Sequence, residues 1–462
     1  MVNHRAIIHV TRQCLLATGL LAVSGVASAS GFALIEQSVS SMGTAYANGS
    51  SGIDDASTIW FNPATMTRLA GKNASGGFHI VNSRVDVDAT AEYNPNLFSG
   101  LPFAGAEVLG KTNPNIDLTA VVPHAAYSQQ YNDRFWLGIS VNGPFGLKTD
   151  YDSDWVGRYN AIKSDLITVN INPSIAYKLN DRASVGFGVS ALYADGELTN
   201  ALDVGLGDFV SAIRAGTSPS LPWYPGAVGT STYDSEAKLT GNDWGYGWNV
   251  GLLLEPTAVT RFGLHYRSKI DLDIKGDAKI TGPVLNRKED AVLPLNLPAS
   301  ASASVYHDIN DRVALMLDVT WTNWDEVQEI RVKTDSGQRL STWDWDDTIR
   351  VAVGGSYRYN NTWLFRTGLA WDETPIPNDS LRSPVVPGND RTWLTLGANY
   401  RYTKQISFDF GYAHLFVDDP EIKGVSDAYD PTTGATTGTH LLYADYDAAV
   451  DMLSFQLNWA FD

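Results

Sequence analysis

The chain has 462 residues with 51 acidic side chains against 33 Lys and Arg, giving a formal charge of −18, and a single cysteine. That balance offers no basic surface for a nucleic acid partner, and a lone Cys14 excludes a disulfide framework. Aromatic residues make up 11% of the chain, which suits either packed β cores or the aromatic girdles of a membrane barrel.

The first element reads as an export leader. Arg5 and Arg12 supply a positive start, residues 15–26 are apolar, and Ala27-Ser28-Ala29 fits a small-x-small cleavage site. This predicts a signal peptide over 1–29 and a mature chain that begins at Ser30. The apolar run is too short to cross a membrane as a helix, and no later run reaches the roughly 18 residues that a spanning helix needs. Cys14 leaves with the leader and lacks a lipoprotein-type sequence before it.

Residues 30–71 do not alternate. They are rich in Gly, Ser and Ala, with turn or cap signals at Asp54-Asp55-Ala56-Ser57 and Asn62-Pro63-Ala64. Phe32, Leu34, Ile35, Ile59, Trp60 and Phe61 are too apolar for a solvated tail. The segment reads as a small N-terminal hatch.

From about Gly76 the pattern becomes apolar/polar alternation with a period of two. Ile167, Val169, Ile171, Ile175, Tyr177 and Leu179 are one example. Six connections are tight, at Asn132-Asp133, Asn180-Asp181, Pro256 to Thr260, Asn310-Asp311, Asn360-Asn361 and Thr403-Lys404. Asn and Asp tolerate the positive φ of hairpin turns. Seven others are long and lie near 88–117, 144–164, 200–236, 279–295, 333–345, 374–390 and 418–445. Short and long alternate throughout. Thirteen connections require fourteen strands, with both chain ends on the short-turn side. This predicts an all-β fold: a fourteen-stranded antiparallel transmembrane barrel over 72–462 in a bacterial outer membrane. A barrel that wide leaves a channel unless something fills it, so residues 30–71 are expected inside the lumen.

Two of the long connections carry apolar residues at helical spacing. Trp155, Val156, Tyr159 and Ile162 form one set; Leu202, Leu206, Phe209, Val210 and Ile213, followed by Trp223, form the other. Two facing amphipathic helices would make a greasy groove, or would simply close the cap. Pro123, Gly143-Pro144 and Pro173 fall in or at the ends of the second, third and fourth strands. Proline cannot donate to a ladder, so a lateral gap in the wall is expected around Gly143, Pro144 and Phe145. The last ten residues alternate strictly, Leu453, Phe455, Leu457, Trp459 and Phe461 being apolar. They should close the barrel against the first strand near Phe78 and Ile80.

The mature chain resembles the FadL family of outer-membrane transporters for long-chain fatty acids and other hydrophobic compounds. The resemblance rests on Gly31-Phe32, Met42-Gly43, Asp54-Asp55-Ala56 and the Asn62-Pro63-Ala64 motif, then on Pro144-Phe145-Gly146-Leu147 and the run from Tyr151 to Tyr159. It continues in Gly241 to Asn249, Tyr266-Arg267-Ser268 and Phe365-Arg366-Thr367-Gly368. It implies passive uptake: capture on external loops, binding in the lumen, rearrangement of the hatch and lateral exit. The substrate-binding candidates are Phe32, Trp155, Arg158, Tyr159, Phe209 and Trp223. The family's basic lumen positions fall near Thr199-Asn200 and Asp346, which are not basic, and Arg158, Lys163 and Arg350 are the cations that could substitute. That departure gives weight to a neutral hydrocarbon or aromatic substrate.

No His-Glu-x-x-His, cysteine cluster, Gly-x-Ser-x-Gly or phosphate loop occurs, so no catalytic residue, metal or cofactor is expected. The expected partners are the hydrophobic substrate, outer-membrane lipid with lipopolysaccharide, and the barrel assembly machinery, with the barrel acting as a monomer. A polar-solute porin and a barrel lipid hydrolase are the rival readings.

Overall fold

The computed structural model describes residues 31–461 apart from 102, 216–230, 284, 427–428, 431–434 and 437. Fourteen antiparallel strands close into one barrel. They are β1 (Lys72–Tyr93), β2 (Leu118–Asn132), β3 in two segments (Phe135–Asn142 and Gly146–Asp150), β4 (Lys163–Asn180), β5 (Ala183–Asp203) and β6 (Asp234–Thr257). Next come four more strands in two segments each: β7 (Thr260–Arg267, Ile270–Thr281), β8 (Arg287–Leu297, Ser300–Asp308), β9 (Val313–Thr322, Glu329–Thr334) and β10 (Gly337–Thr342, Thr348–Arg358). β11 (Trp363–Asp372), β12 (Arg391–Arg401), β13 (Ile406–Val417, Glu421–Ser426) and β14 (His440–Phe461) complete the wall. Each of the six tight turns falls where Asn, Asp or Thr marks it in the sequence.

The seam is continuous. β14 pairs with β1 from Lys72↔Phe461 to Tyr93↔His440, and Phe78 and Ile80 lie opposite Phe455 and Leu453. Both strand edges are thereby removed. The outward face is apolar around the wall: Leu137, Ile175, Val250, Leu317, Leu369 and Leu453 are all exposed. An apolar belt of that extent is a lipid-facing surface rather than an aqueous one. Among the described residues no helix is long and apolar enough to cross a membrane; the crossing is made by strands.

Two of the long connections differ from expectation. The link between β7 and β8 shrinks to 282–286, and that between β9 and β10 to 335–336, because their flanks continue as ladders. The alternation continues there with its outward face polar: Asp271, Asp273 and Lys275 are exposed while Leu272 and Ile274 between them are buried, and Lys288 pairs with Asp277, so these hairpins do not carry the apolar outward face of the lipid-spanning wall. The other correction concerns 151–162. This stretch forms successive tight turns, with Arg158 N–H donating to Trp155 O and Asn160 N–H to Gly157 O, rather than a helix. Its backbone is diverted to Lys111, which exchanges bonds with Asp154 and Val156. The second amphipathic segment does form a helix, α3 (Val204–Ala215), in which Phe209 lies; Trp223 falls outside the described residues.

The N-terminal segment fills the lumen. It contains α1 (Val39–Met42), capped by the Ser38 side chain, α2 (Thr58–Phe61), and a 3₁₀ turn over Pro63–Arg68. Asn62 is fully buried. Its Oδ1 accepts from Ala64 N–H at 3.0 Å, while Nδ2 donates to Ser50 O and to the wall carbonyl of Leu252, at 2.7 and 3.1 Å. Pro63 suits the first position of the turn because its missing N–H would have had no partner there. The wall makes room with glycine. A Cβ on Gly251 would collide with Asn62, and one on Gly263 with the Ser50 carbonyl, so the plug backbone approaches the wall only because these side chains are absent.

Candidate functional site: a lumen cavity above the hatch and an interrupted third strand

Six strands come in two segments, and two sets of breaks among them shape the lumen. In β9 and β10 the breaks at 323–328 and 343–347 bring three large indoles inward. Trp324, Trp343 and Trp345 are all buried. Trp324 and Trp345 sit edge to face at 5.1 Å, and Trp343 stacks on Trp345 at 4.8 Å. Phe32 of the hatch packs into this cluster, 4.9 Å from Trp324 and 5.8 Å from Trp345. On its other side Phe145 lies at 6.1 Å.

Above Phe32 is a cavity of about 410 Å³. Its apolar wall includes Leu166, Leu239, Ile274, Leu293, Leu295 and Val332, contributed by β4, β6, β7, β8 and β9. Thr199 and Asn200 also line it. Two of its lysines share one partner: Lys163 pairs with Glu197 at 3.1 Å and Lys238 with the same carboxylate at 2.8 Å; Lys279 and Arg339 line it as well. A cavity of this size whose exposed lining is mostly apolar, with polar groups among it, is the shape of a small-molecule site.

Of the sequence candidates, Phe32 lines this cavity and Trp155, Arg158 and Tyr159 do not. Their polar atoms are used inside the loop cap. Trp155 donates from Nε1 to Ala161 O at 2.7 Å and stacks on Tyr151 at 4.2 Å. Arg158 is 1% exposed and pairs with Asp234 at 2.7 Å. Tyr159 donates to the same carboxylate and stacks on His440 at 3.9 Å. Burial, with Asp203 and Asp234 nearby, holds its phenol well above the usual tyrosine range. These residues form the roof, joined to the cavity through Arg339, which donates to Tyr159 O. The three tryptophans and the break residues that bring them inward are the part that sequence reasoning missed. Their only signal is the density of Trp in Trp321 to Trp345, which lies within or beside a segment that reads as loop.

The second set lies in β3. Its break spans Gly143 to Phe145, and its ladder to β2 ends at Ala125↔Val141. β2 continues to pair with β1 up to Ser83↔Leu118. Its other edge from 118 to 124 has no strand partner among the described residues. Pro123 and Pro173, by contrast, sit within continuous strands, opposite Phe78 and Ile139. The hatch stitches the break. Leu34 N–H donates to Pro144 O at 2.8 Å, Gly146 N–H donates to Phe32 O at 2.9 Å, and Gln37 Nε2 donates to Gly143 O at 2.8 Å. Thr168 of β4 binds both the N–H and the carbonyl of Phe145. Beside these contacts, Glu36 is 2% exposed and its Oε2 has no hydrogen-bond partner. Burial pushes its carboxyl up to about 7 against the pull of Arg391 and Arg350. Among the described residues no cluster of His, Cys, Asp and Glu could hold a metal.

Comparison with known proteins agrees with this architecture. Residues 20–461 match the family described as Outer membrane protein transport protein (OMPP1/FadL/TodX). The Long-chain fatty acid transport protein of Escherichia coli O6:H1 is 33% identical over 420 residues, covering 87% of this chain and 90% of that protein. Outer membrane protein P1 of Haemophilus influenzae is 29% identical, covering 97% and 99% of the two chains. Among solved structures, a Pseudomonas aeruginosa FadL homologue shares the fold with a TM-score of 0.80 at 24% identity, over 94% of this chain and 100% of that one. The Ralstonia pickettii toluene transporter TbuX does so with a TM-score of 0.61 at 21% identity, over 95% and 100%. The chain is an outer-membrane β-barrel and belongs to the OMPP1/FadL/TodX family of outer membrane transport proteins.

Proposed function

We propose that this barrel carries hydrophobic molecules, long-chain fatty acids or related lipophilic compounds, passively across the outer membrane. Substrate enters through the loop cap, rests in the apolar cavity above Phe32, and leaves sideways through the β3 break at Gly143, Pro144 and Phe145. The observation that carries this reading is the double use of one hatch segment. The ring of Phe32 forms part of the cavity floor, while the backbone of Phe32 and Leu34 stitches the break. A single displacement of that segment would open the cavity downward and the wall outward together. Nothing in such a path needs energy coupling, because an apolar solute moves from water into lipid down its own transfer free energy. The Escherichia coli relative is named a transport protein, as is the matching family, which accords with a barrel that carries its ligand rather than transforms it. We further take the barrel to work as a monomer, inserted by the barrel assembly machinery and contacting lipopolysaccharide on its outer rim.

The test is uptake by cells that express the full chain and lack a related transporter. Phe32→Ala removes several ring contacts from the floor and should change uptake of a labelled long-chain fatty acid by at least about threefold, since losing a buried aromatic costs a few kcal/mol at its site. A cross-link that fixes Leu34 to Pro144 should abolish uptake while leaving the folded barrel intact. Undiminished uptake in the cross-linked protein would sink the lateral route. A large steady ionic current through the wild type would favour an open polar porin instead.

A further inference from the structure

Below Phe32, between the hatch and the β3 break, lies a second chamber of about 140 Å³. Ala33, Leu34, Pro144 and Phe145 bound it on the side of the break, and Arg267 and Arg350 line it as well. Both arginines are inward-facing and buried, 7% and 6% exposed. Three of the other buried guanidiniums have a carboxylate, Arg158 with Asp234 at 2.7 Å, Arg382 with Asp379 at 3.4 Å and Arg261 with Asp54 at 3.5 Å, whereas Arg391, outside this chamber, leaves its Nη1 without a partner. Arg267 and Arg350 have none within 4.0 Å among the described residues. Arg267 donates to Trp60 O at 2.7 Å and to Ser190 Oγ at 3.3 Å, and its guanidinium lies 3.5 Å over the Trp60 ring. Arg350 donates to Ala45 O at 2.9 Å, and its Nε and Nη1 have no partner.

A buried cation without a counter-ion is costly, and an anion that supplies one gains correspondingly. Acidic groups do surround part of the chamber. Asp372 lines it, and Asp318 and Glu36 lie close enough to Arg350 to feel its charge. We propose that this chamber is an anion station, in which Arg267 with Arg350 holds the carboxylate head group of an amphiphilic substrate while the alkyl chain turns outward past Phe145 into lipid. The station is distinct from the apolar cavity above Phe32, and it rests on the transport reading given above. In the upper cavity, by contrast, Lys163 and Lys238 already share the Glu197 carboxylate.

The experiment compares uptake of labelled hexadecanoate and of hexadecan-1-ol, which has the same chain without the charge. Cells express the wild type, Arg267→Gln, Arg350→Gln or Arg267→Lys, and assembled barrel is quantified by heat-modifiable gel mobility. Arg267→Gln should lower hexadecanoate uptake per folded barrel by about tenfold, as expected for loss of one charge-assisted pair, and leave the alcohol within about twofold. Arg350→Gln should act in the same direction, and Arg267→Lys should retain part of the carboxylate uptake. Equal losses for acid and alcohol, or no loss for either, would overturn the station while leaving transport itself standing. A wild type that takes up neither ligand would overturn the transport reading and the station with it.

Discussion

The seam between β14 and β1 and the break in β3 are two solutions to one problem, and they differ in what supplies the backbone partners. At the seam every residue from Lys72 to Tyr93 has an opposite number on β14. Lipid cannot satisfy a backbone N–H or C=O, so continuous pairing is what a wall requires. At Gly143 to Phe145 the same requirement is met by the hatch. Its Leu34 N–H and Phe32 carbonyl take the places that a neighbouring strand would fill. A wall closed by its own ladder opens only by unfolding. On the proposed lateral route, a wall closed by a plug needs only the plug to move.

The largest expected effect belongs to the seam. Leu453 is exposed to lipid on β14 between Ile80 and Tyr412. Leu453→Arg should destabilise the barrel by about 2–4 kcal/mol, the cost of a cation on the lipid face near mid-membrane. Pro144→Val at the break should cost less than about 1 kcal/mol, because no strand ladder depends on that position. Reversible urea unfolding in lipid vesicles measures both. Equal costs would remove the distinction between the two regions.

The strand count was legible because each tight turn carries Asn, Asp or a similar turn residue, and the break was legible because Gly143-Pro144 cannot continue a ladder. What lay beyond reach depended on partners distant in sequence. Trp155 and Arg158 look like ligand contacts in an apolar loop, but Ala161 O and Asp234 consume them. Trp343 and Trp345 look like loop residues, but the break in β10 turns them inward to Phe32. The chain order shows that Arg350 is basic; it cannot show that Arg350 and Arg267 lack a counter-ion in one chamber.

The stitched break should also respond to pH through Glu36. Burial raises its carboxyl from 4.5 to about 7, with Arg391 and Arg350 opposing and Asp372 reinforcing the rise. Between those values the docked hatch keeps a proton that a solvated hatch has released. Docking is therefore strongest below about pH 4.5 and weakens as pH rises through 7, by up to about 3 kcal/mol. Hydrogen exchange of the amides of residues 32–38, corrected for intrinsic rates, should be faster at about pH 8 than at about pH 5. Glu36→Gln should abolish the difference. Protection that stays constant in the wild type would detach Glu36 from hatch docking.

The smallest effect is expected in the roof, and it decides whether the roof is wall-like or passage-like. Trp155→Phe removes the 2.7 Å bond to Ala161 O and keeps an aromatic ring against Tyr151. One neutral hydrogen bond is worth about 1 kcal/mol, so protection of the amides of 151–162 should fall by roughly fivefold. Fatty acid uptake should stay within about twofold, because Trp155 is fully buried and does not line the cavity. A tenfold loss of uptake with normal assembly would place Trp155 on the substrate's path. The roof would then belong with the β3 break, as a covering that moves, and not with the seam.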